Sequence, residues 1–172
     1  MKQTPDALHR PVFAGYVVGF CALAGFILSL AVHIAAVFGV DASARFPWVW
    51  SLHFGVFLVF IPFVISSRKT FKGKPSLAEA RQLFPGWVLA LGAVIFVYVA
   101  INFILLILAT EGGSPSIMDG RFVLQNHGKW IRDITAAQYN ALQASVMRGF
   151  SGHWLTFYYL PLAYFLLRRP KD

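Results

Sequence analysis

A chain of 172 residues, 58% hydrophobic and only 13% charged, with a mean hydropathy of +0.63, is too apolar for a water-soluble domain and reads as one polytopic membrane domain over 1–172. Its net charge of +8 does not point to nucleic acid, because the basic residues sit at the ends of apolar runs, where positive charge sets topology. A single cysteine, Cys21, excludes an internal disulfide and a CxxC thiol site.

The first apolar run, 12–38, is far longer than the ~7 to 15 residues of a signal-peptide core, so it is expected to be a retained helical span. Ala22, Gly25, Ser29, His33 and Ala36 fall on one stripe at spacings of three and four. Small residues on a stripe let a second helix approach closely, so His33 is expected to face a neighbour and not lipid. The second span, 48–65, carries His53 near its start and Pro62 near its end.

The loop 66–85 is basic, with Arg68, Lys69, Lys72, Lys74 and Arg81. Together with Lys2 and Arg10 at one end and Arg168, Arg169 and Lys171 at the other, it predicts that both termini lie on the cytoplasmic side of the membrane. The third span is 87–109, with Asn102 inside it. Trp48, Trp50 and Trp154 are then expected in an outer aromatic belt, with Trp87 at the inner interface.

An outer cap is expected over 111–149. Glu111-Gly112-Gly113-Ser114-Pro115 reads as a linker. Arg121 to Gln125 and Lys129 to Arg132 are strand-like and flank an Asn126-His127-Gly128 turn, which predicts a β-hairpin. Thr135 with Gln138 forms a capping box that starts a helix, and nothing between it and the fourth span, 150–167, breaks that helix except a weak point at Gly149 and Gly152. Pro62 and Pro161 should kink the second and fourth spans. The expected fold is thus an all-α four-transmembrane-helix bundle with a small extracytoplasmic hairpin cap and an extended fourth helix, since only helices satisfy their own backbone across the ~30 Å hydrocarbon core.

Polar side chains inside spans are the informative ones. His33, His53, Asn102 and His153 lie roughly 9, 8, 12 and 5 Å below the cap end at ~1.5 Å per residue, one from each span, so they are expected in one layer. Such a layer has three readings, one of them a His-based proton relay. Imidazoles from separate helices ligate haem b, or hold Cu or Zn through His33, His53 and His153 with His127 closing the site from above, while Ser29, Asn102 and Thr156 supply outer hydrogen bonds. Alternatively, the same groups hydrogen-bond to one another and fix how the helices pack. No span contains Asp or Glu, and no nucleophile, phosphate loop or other catalytic set is legible.

The segments Leu52-His53-Phe54-Gly55-Val56-Phe57-Leu58-Val59-Phe60-Ile61-Pro62, Asn126-His127-Gly128 and Phe150-Ser151-Gly152-His153-Trp154 resemble small bacterial four-helix membrane proteins of uncharacterised function. That resemblance implies a bacterial inner-membrane location and no activity. Three functions fit the sequence. The first is a non-catalytic accessory subunit of a larger membrane assembly, or a self-associating one, docking through Trp130, Tyr139, Asn126 and His127. The second is a His-ligated haem or metal redox protein. The third is a carrier of lipid, quinone or another small molecule, for which the 16% aromatic content supplies the lining.

Overall fold

The computed structural model describes residues 6–71, 73 and 75–169. Helix α1 (Asp6–Val37) is followed by a short α2 (Ala42–Arg45) capped by Asp41, then a 3-10 turn (Pro47–Trp50) and α3 (Ser51–Thr70). A short α4 of about two turns (Leu77–Leu83), started by a Ser76–Glu79 capping box, leads into α5 (Gly86–Thr110). Strands β1 (Ser114–Met118), β2 (Arg121–Asn126) and β3 (Lys129–Asp133) come next, and α6 (Ala136–Leu166) closes the chain. Lys2, Lys72, Lys74 and Lys171, counted above for the inner side, lie outside the described residues.

Among the described residues, three segments, Phe13–Val37, Pro47–Thr70 and Gly86–Thr110, are long and apolar enough to cross a membrane. Helix α6 is not among them, and packing supplies the reason. Helices α1, α3 and α5 each lie against α6, whereas α3 and α5 barely touch one another. The surroundings of α6 are protein, so its outer surface need not match hydrocarbon. It carries Ser151, Gly152, Tyr158, Tyr159 and Tyr164, all buried. By contrast, α5 shows apolar side chains on every side and buries few of them, as expected of a helix facing lipid.

Tyrosines lock the outer helices to α6. The hydroxyl of Tyr158 donates to Leu52 O of α3 at 2.7 Å, that of Tyr159 to Val88 O of α5 at 2.6 Å, and that of Tyr164 to Ser66 O at 2.9 Å. Each neighbouring helix makes room with a glycine. Gly25 of α1 and Gly55 of α3 face the ring and hydroxyl of Tyr158, Gly92 of α5 faces Tyr159, and Gly19 of α1 faces Leu166.

Helix α6 runs unbroken for 31 residues, about 46 Å at ~1.5 Å per residue. Thr135 and Gln138 form the expected capping box. Gly149 and Gly152 are not a hinge. A side chain on Gly149 would collide with Leu106, and one on Gly152 would press on Asn102 at 3.0 Å, so both are contact points for α5. Pro62 and Pro161 both lie inside continuous helices.

The cap is larger than one hairpin. Three antiparallel strands in the order β1-β2-β3 pack on the free half of α6, where the Phe122 ring meets that of Tyr139 at 5.0 Å. Ser114 and Pro115 belong to β1 and not to a linker. Met118 pairs with Arg121 and Asn126 with Lys129, so each strand connection is a two-residue loop. Asp119 and Gly120 have φ of 51° and 75°, His127 and Gly128 of 50° and 82°. Positive φ at both central positions defines the type I′ turn that matches strand twist, and Asp-Gly is a strong sequence signal for it. Pro115 on β1 and Lys129 on β3 guard the two sheet edges.

Candidate functional site

The four polar side chains expected in one layer divide into two groups on different sides of α6. Tyr98, His33 and Ser151 form the first, with Asn102 beside them. His33 is 3% exposed. The Ser151 hydroxyl donates to Met147 O at 2.7 Å, which leaves its oxygen to accept from His33 Nδ1–H at 2.9 Å. His33 Nε2 then accepts from the Tyr98 hydroxyl at 2.6 Å. Asn102 donates to Arg148 O at 3.0 Å. Both ring nitrogens of His33 are consumed, so this is a hydrogen-bonded joint between α1, α5 and α6. Ser29 and Thr156 hydrogen-bond to no histidine; their buried hydroxyl oxygens have no hydrogen-bond partner among the described residues.

His53 and His153 meet a different space. A cavity of about 480 Å³ lies in the gap between α3 and α5, floored by α6. Helix α3 contributes His53, Val56, Phe57 and Phe60, and α5 contributes Phe103 and Leu106. The floor is Gly149, Phe150, His153, Trp154 and Phe157. Gly149 lacks a side chain that would fill this corner, and the rim rings Phe57, Phe103, Phe150 and Phe157 are 37–51% exposed, so the space opens sideways. Its wall is carbon almost throughout, and the nitrogens of the two imidazoles and of the indole show it almost no surface.

Those imidazoles have assigned tautomers because their partners have fixed roles. Trp154 Nε1–H only donates, and it reaches His53 Nδ1 at 3.1 Å. Neutral His53 therefore carries its proton on Nε2. Gly149 O only accepts, and it lies 2.8 Å from His153 Nδ1, so neutral His153 keeps a bare lone pair on Nε2. The His153 ring is held edge-on to Phe103 at 5.2 Å. Trp154, placed by the sequence in an interfacial belt, is instead 1% exposed and packed against Trp50 at 5.8 Å. Trp48, at 59% exposed, and Trp87 do lie on the surface.

A metal-ligating imidazole needs a bare nitrogen toward the ion and its other N–H held by an acceptor. Of the three span histidines only His153 meets that condition. His33 has no free nitrogen, and His53 has the opposite tautomer. His127 sits in the exposed β2–β3 turn. No group of three or more His, Cys, Asp or Glu able to hold a metal exists among the described residues. The donor set thus fits neither haem b nor a Cu or Zn centre built from His33, His53 and His153.

On the cap, Trp130 is 56% exposed with its indole N–H on Asp133 Oδ1 at 3.0 Å, and Asn126 and His127 are exposed at the turn. Tyr139 is half-buried against Phe122 and so belongs to the cap's own packing. Sequence reasoning missed Tyr98, Ser151 and the role of Trp154. It also missed the pocket, because rings that line a groove and rings that face lipid look alike in a sequence. No family model matches the chain, and neither a curated protein nor a solved structure was found to be similar, so function is argued from geometry alone.

Proposed function

We propose that the chain is a four-helix protein of the bacterial cytoplasmic membrane, with α6 as the fourth span and both termini inside, that binds the hydrocarbon chain of a lipid in the gap between α3 and α5. The observation that carries this reading is the carbon-walled cavity of about 480 Å³ with its sideways opening. That volume lies within the ~300–1,000 Å³ range of small-molecule sites. Its lining by Phe57, Phe60, Phe103, Phe150, Trp154 and Phe157 suits an apolar chain or flat ring, and the opening faces the lipid from which such a molecule enters. Arg68, Lys69, Arg81, Arg168 and Arg169 gather at the end away from the cap, which supports the orientation.

Native mass spectrometry of protein extracted from its own membrane tests this. One retained lipid per chain is expected, and its loss is expected in Leu106→Trp, which fills the cavity. An equal lipid load on both proteins refutes the reading.

A second reading, an accessory subunit docking through the cap, rests on Trp130 and Ile117, 56% and 57% exposed on an ordered sheet. Removing both side chains (Trp130→Ser with Ile117→Ser) then releases a co-purifying subunit; a chain that purifies alone before and after the change ends that reading.

A further inference from the structure

The two ends of the bundle hold their charges differently. In the cap, Arg121 is paired with Asp133 at 3.5 Å and Arg132 with Glu111 at 2.9 Å. At the opposite end the segments 1–10, 66–85 and 168–172 carry ten basic residues against three acidic ones, whereas the remainder of the chain carries five against four. Among the described residues no ion pair forms at that end. Glu79, the one acidic residue there whose side chain is described, is committed to its own helix, since its carboxylate accepts from the Ser76 N–H at 2.7 Å and from the Ser76 hydroxyl at 2.8 Å.

Packing gathers these cations from three segments remote in sequence. The Arg169 N–H donates to Leu83 O at 2.9 Å, which stitches the chain just past α6 to the last turn of α4, where Arg81 lies. Tyr164, 2% exposed, reaches the last turn of α3 through its hydroxyl, which donates to Ser66 O and meets Thr70 Oγ1 at 2.6 Å. That turn carries Arg68 and Lys69. The same Tyr164 ring holds Arg168, whose Cζ stands 5.2 Å from its centroid, so this guanidinium has given up side-chain freedom before any ligand arrives. Arg68, Lys69, Arg81, Arg168 and Arg169 are all exposed. Topology asks only that positive charge lie on one side of the membrane; it requires neither the stitch to α4 nor the stacking on Tyr164.

From this arrangement we propose that the end away from the cap is a docking surface for anionic phospholipid of the surrounding leaflet, with Arg168 as its fixed member and Arg68, Lys69, Arg81 and Arg169 around it. No single phosphate has to reach all five. Trp87, 59% exposed in the first turn of α5, marks this end as the membrane–water boundary, where lipid phosphates lie. A guanidinium fork matches phosphate oxygens two at a time. The inference rests on the membrane-spanning part of the reading above and does not need the pocket.

The test titrates phosphatidylglycerol and phosphatidylcholine of identical chains into the full-length protein in detergent and counts bound lipid by native mass spectrometry. Identical chains cancel whatever the pocket between α3 and α5 contributes. A preference for phosphatidylglycerol is expected, weakening as the Debye length shrinks from about 10 Å at 0.1 M salt to about 3 Å at 1 M. Arg168→Gln is expected to cut that preference about fivefold, the effect of one cation at an anionic surface. Arg121→Gln removes the same net charge from the cap and is expected to leave it intact.

Equal binding of the two lipids overturns the proposal and leaves the pocket reading standing. An equal fall in both variants also overturns it, because the preference would then follow net charge and not this surface. Glycerol 3-phosphate, a soluble analogue of the head group, is expected not to displace the lipid; displacement would show a site for soluble phosphate and end the lipid assignment. If neither lipid binds at all, the membrane reading fails and this proposal with it.

Discussion

Gly25→Ala is the sharpest probe of how this bundle is held together. In an ordinary helix interior the change stabilises by about 1 kcal/mol, because alanine gives up less backbone entropy than glycine. Here the new methyl would sit 2.5 Å from Cδ1 and Cζ of Tyr158, whereas carbon atoms settle at about 3.5–4.0 Å. The ring cannot retreat, since its hydroxyl is tied to Leu52 O at 2.7 Å and Gly55 backs it on the far side. Helix α1 must move out by about 1 Å, and overpacking of that kind costs roughly 1–3 kcal/mol, more if the Tyr158 hydrogen bond breaks as well. The sign of the substitution therefore reverses. A net loss of about 1 kcal/mol, the middle of that cost less the gain expected of alanine, lowers the thermal midpoint by about 2–4 °C for a chain of this size, readable by intrinsic fluorescence in detergent. Gly15→Ala is the internal control, because its methyl meets only the edge of the Phe165 ring, at 3.3 Å from Cδ1 and 3.7 Å from Cε1. In a Tyr158→Leu background Gly25→Ala should become neutral or stabilising. If Gly25→Ala raises the midpoint in the native background, or lowers it equally in both, the clamp does not exist.

Four further outcomes follow from the same geometry. Ser151→Ala leaves the buried Nδ1–H of His33 without an acceptor and is expected to cost about 1–3 kcal/mol, while Ser29→Ala, which deletes a hydroxyl that has no partner, is expected to be neutral or stabilising; thermal denaturation of the two side by side decides. Gly120→Val forces a β-branched residue to a φ of 75° and should loosen the β1–β2 connection, raising amide exchange in β1 while α6 stays protected; uniform protection would refute the type I′ assignment. Chelation of divalent metals should leave the unfolding midpoint unchanged, and a fall on chelation would show that a metal stabilises the fold. Finally, hydrogen bonds from the Ser76 N–H and hydroxyl hold the exposed Glu79 carboxyl below its ordinary value of 4.5. A lowered folded-state value means the capping contribution is present above the unfolded value and fades as pH falls through the folded one. Carbonyl chemical shifts of α4 should therefore lose helicity only in acid, and a shift between pH 5 and 8 would contradict this.

Much of the architecture was already legible in the chain. Runs of apolar residues give α1, α3 and α5 directly, because a segment without polar side chains has one way to satisfy its backbone in hydrocarbon. The Thr135–Gln138 box gave the start of α6, and the stripe Ala22, Gly25, Ser29, His33, Ala36 gave the buried face of α1. The Asp119-Gly120 turn was equally legible and was overlooked, so the sheet was read one strand short. Position along each helix could be counted from the sequence, which is why His33, His53, Asn102 and His153 were expected at one level.

Azimuth was not. Which side of a helix a residue faces depends on its neighbours, and four helices of nearly uniform hydrophobicity carry little amphipathic signal to set it. Tertiary packing decided that α6 stands in the middle, and that His33 and Asn102 point between α1 and α5. It also turned His53 and His153 towards the gap that α3 and α5 leave open. A sequence records how far along its helix a side chain lies, since that follows from counting residues. The partner it meets there is set by the rotation of separate helices against each other, and in this chain Tyr158, Tyr159 and the glycines opposite them fix that rotation.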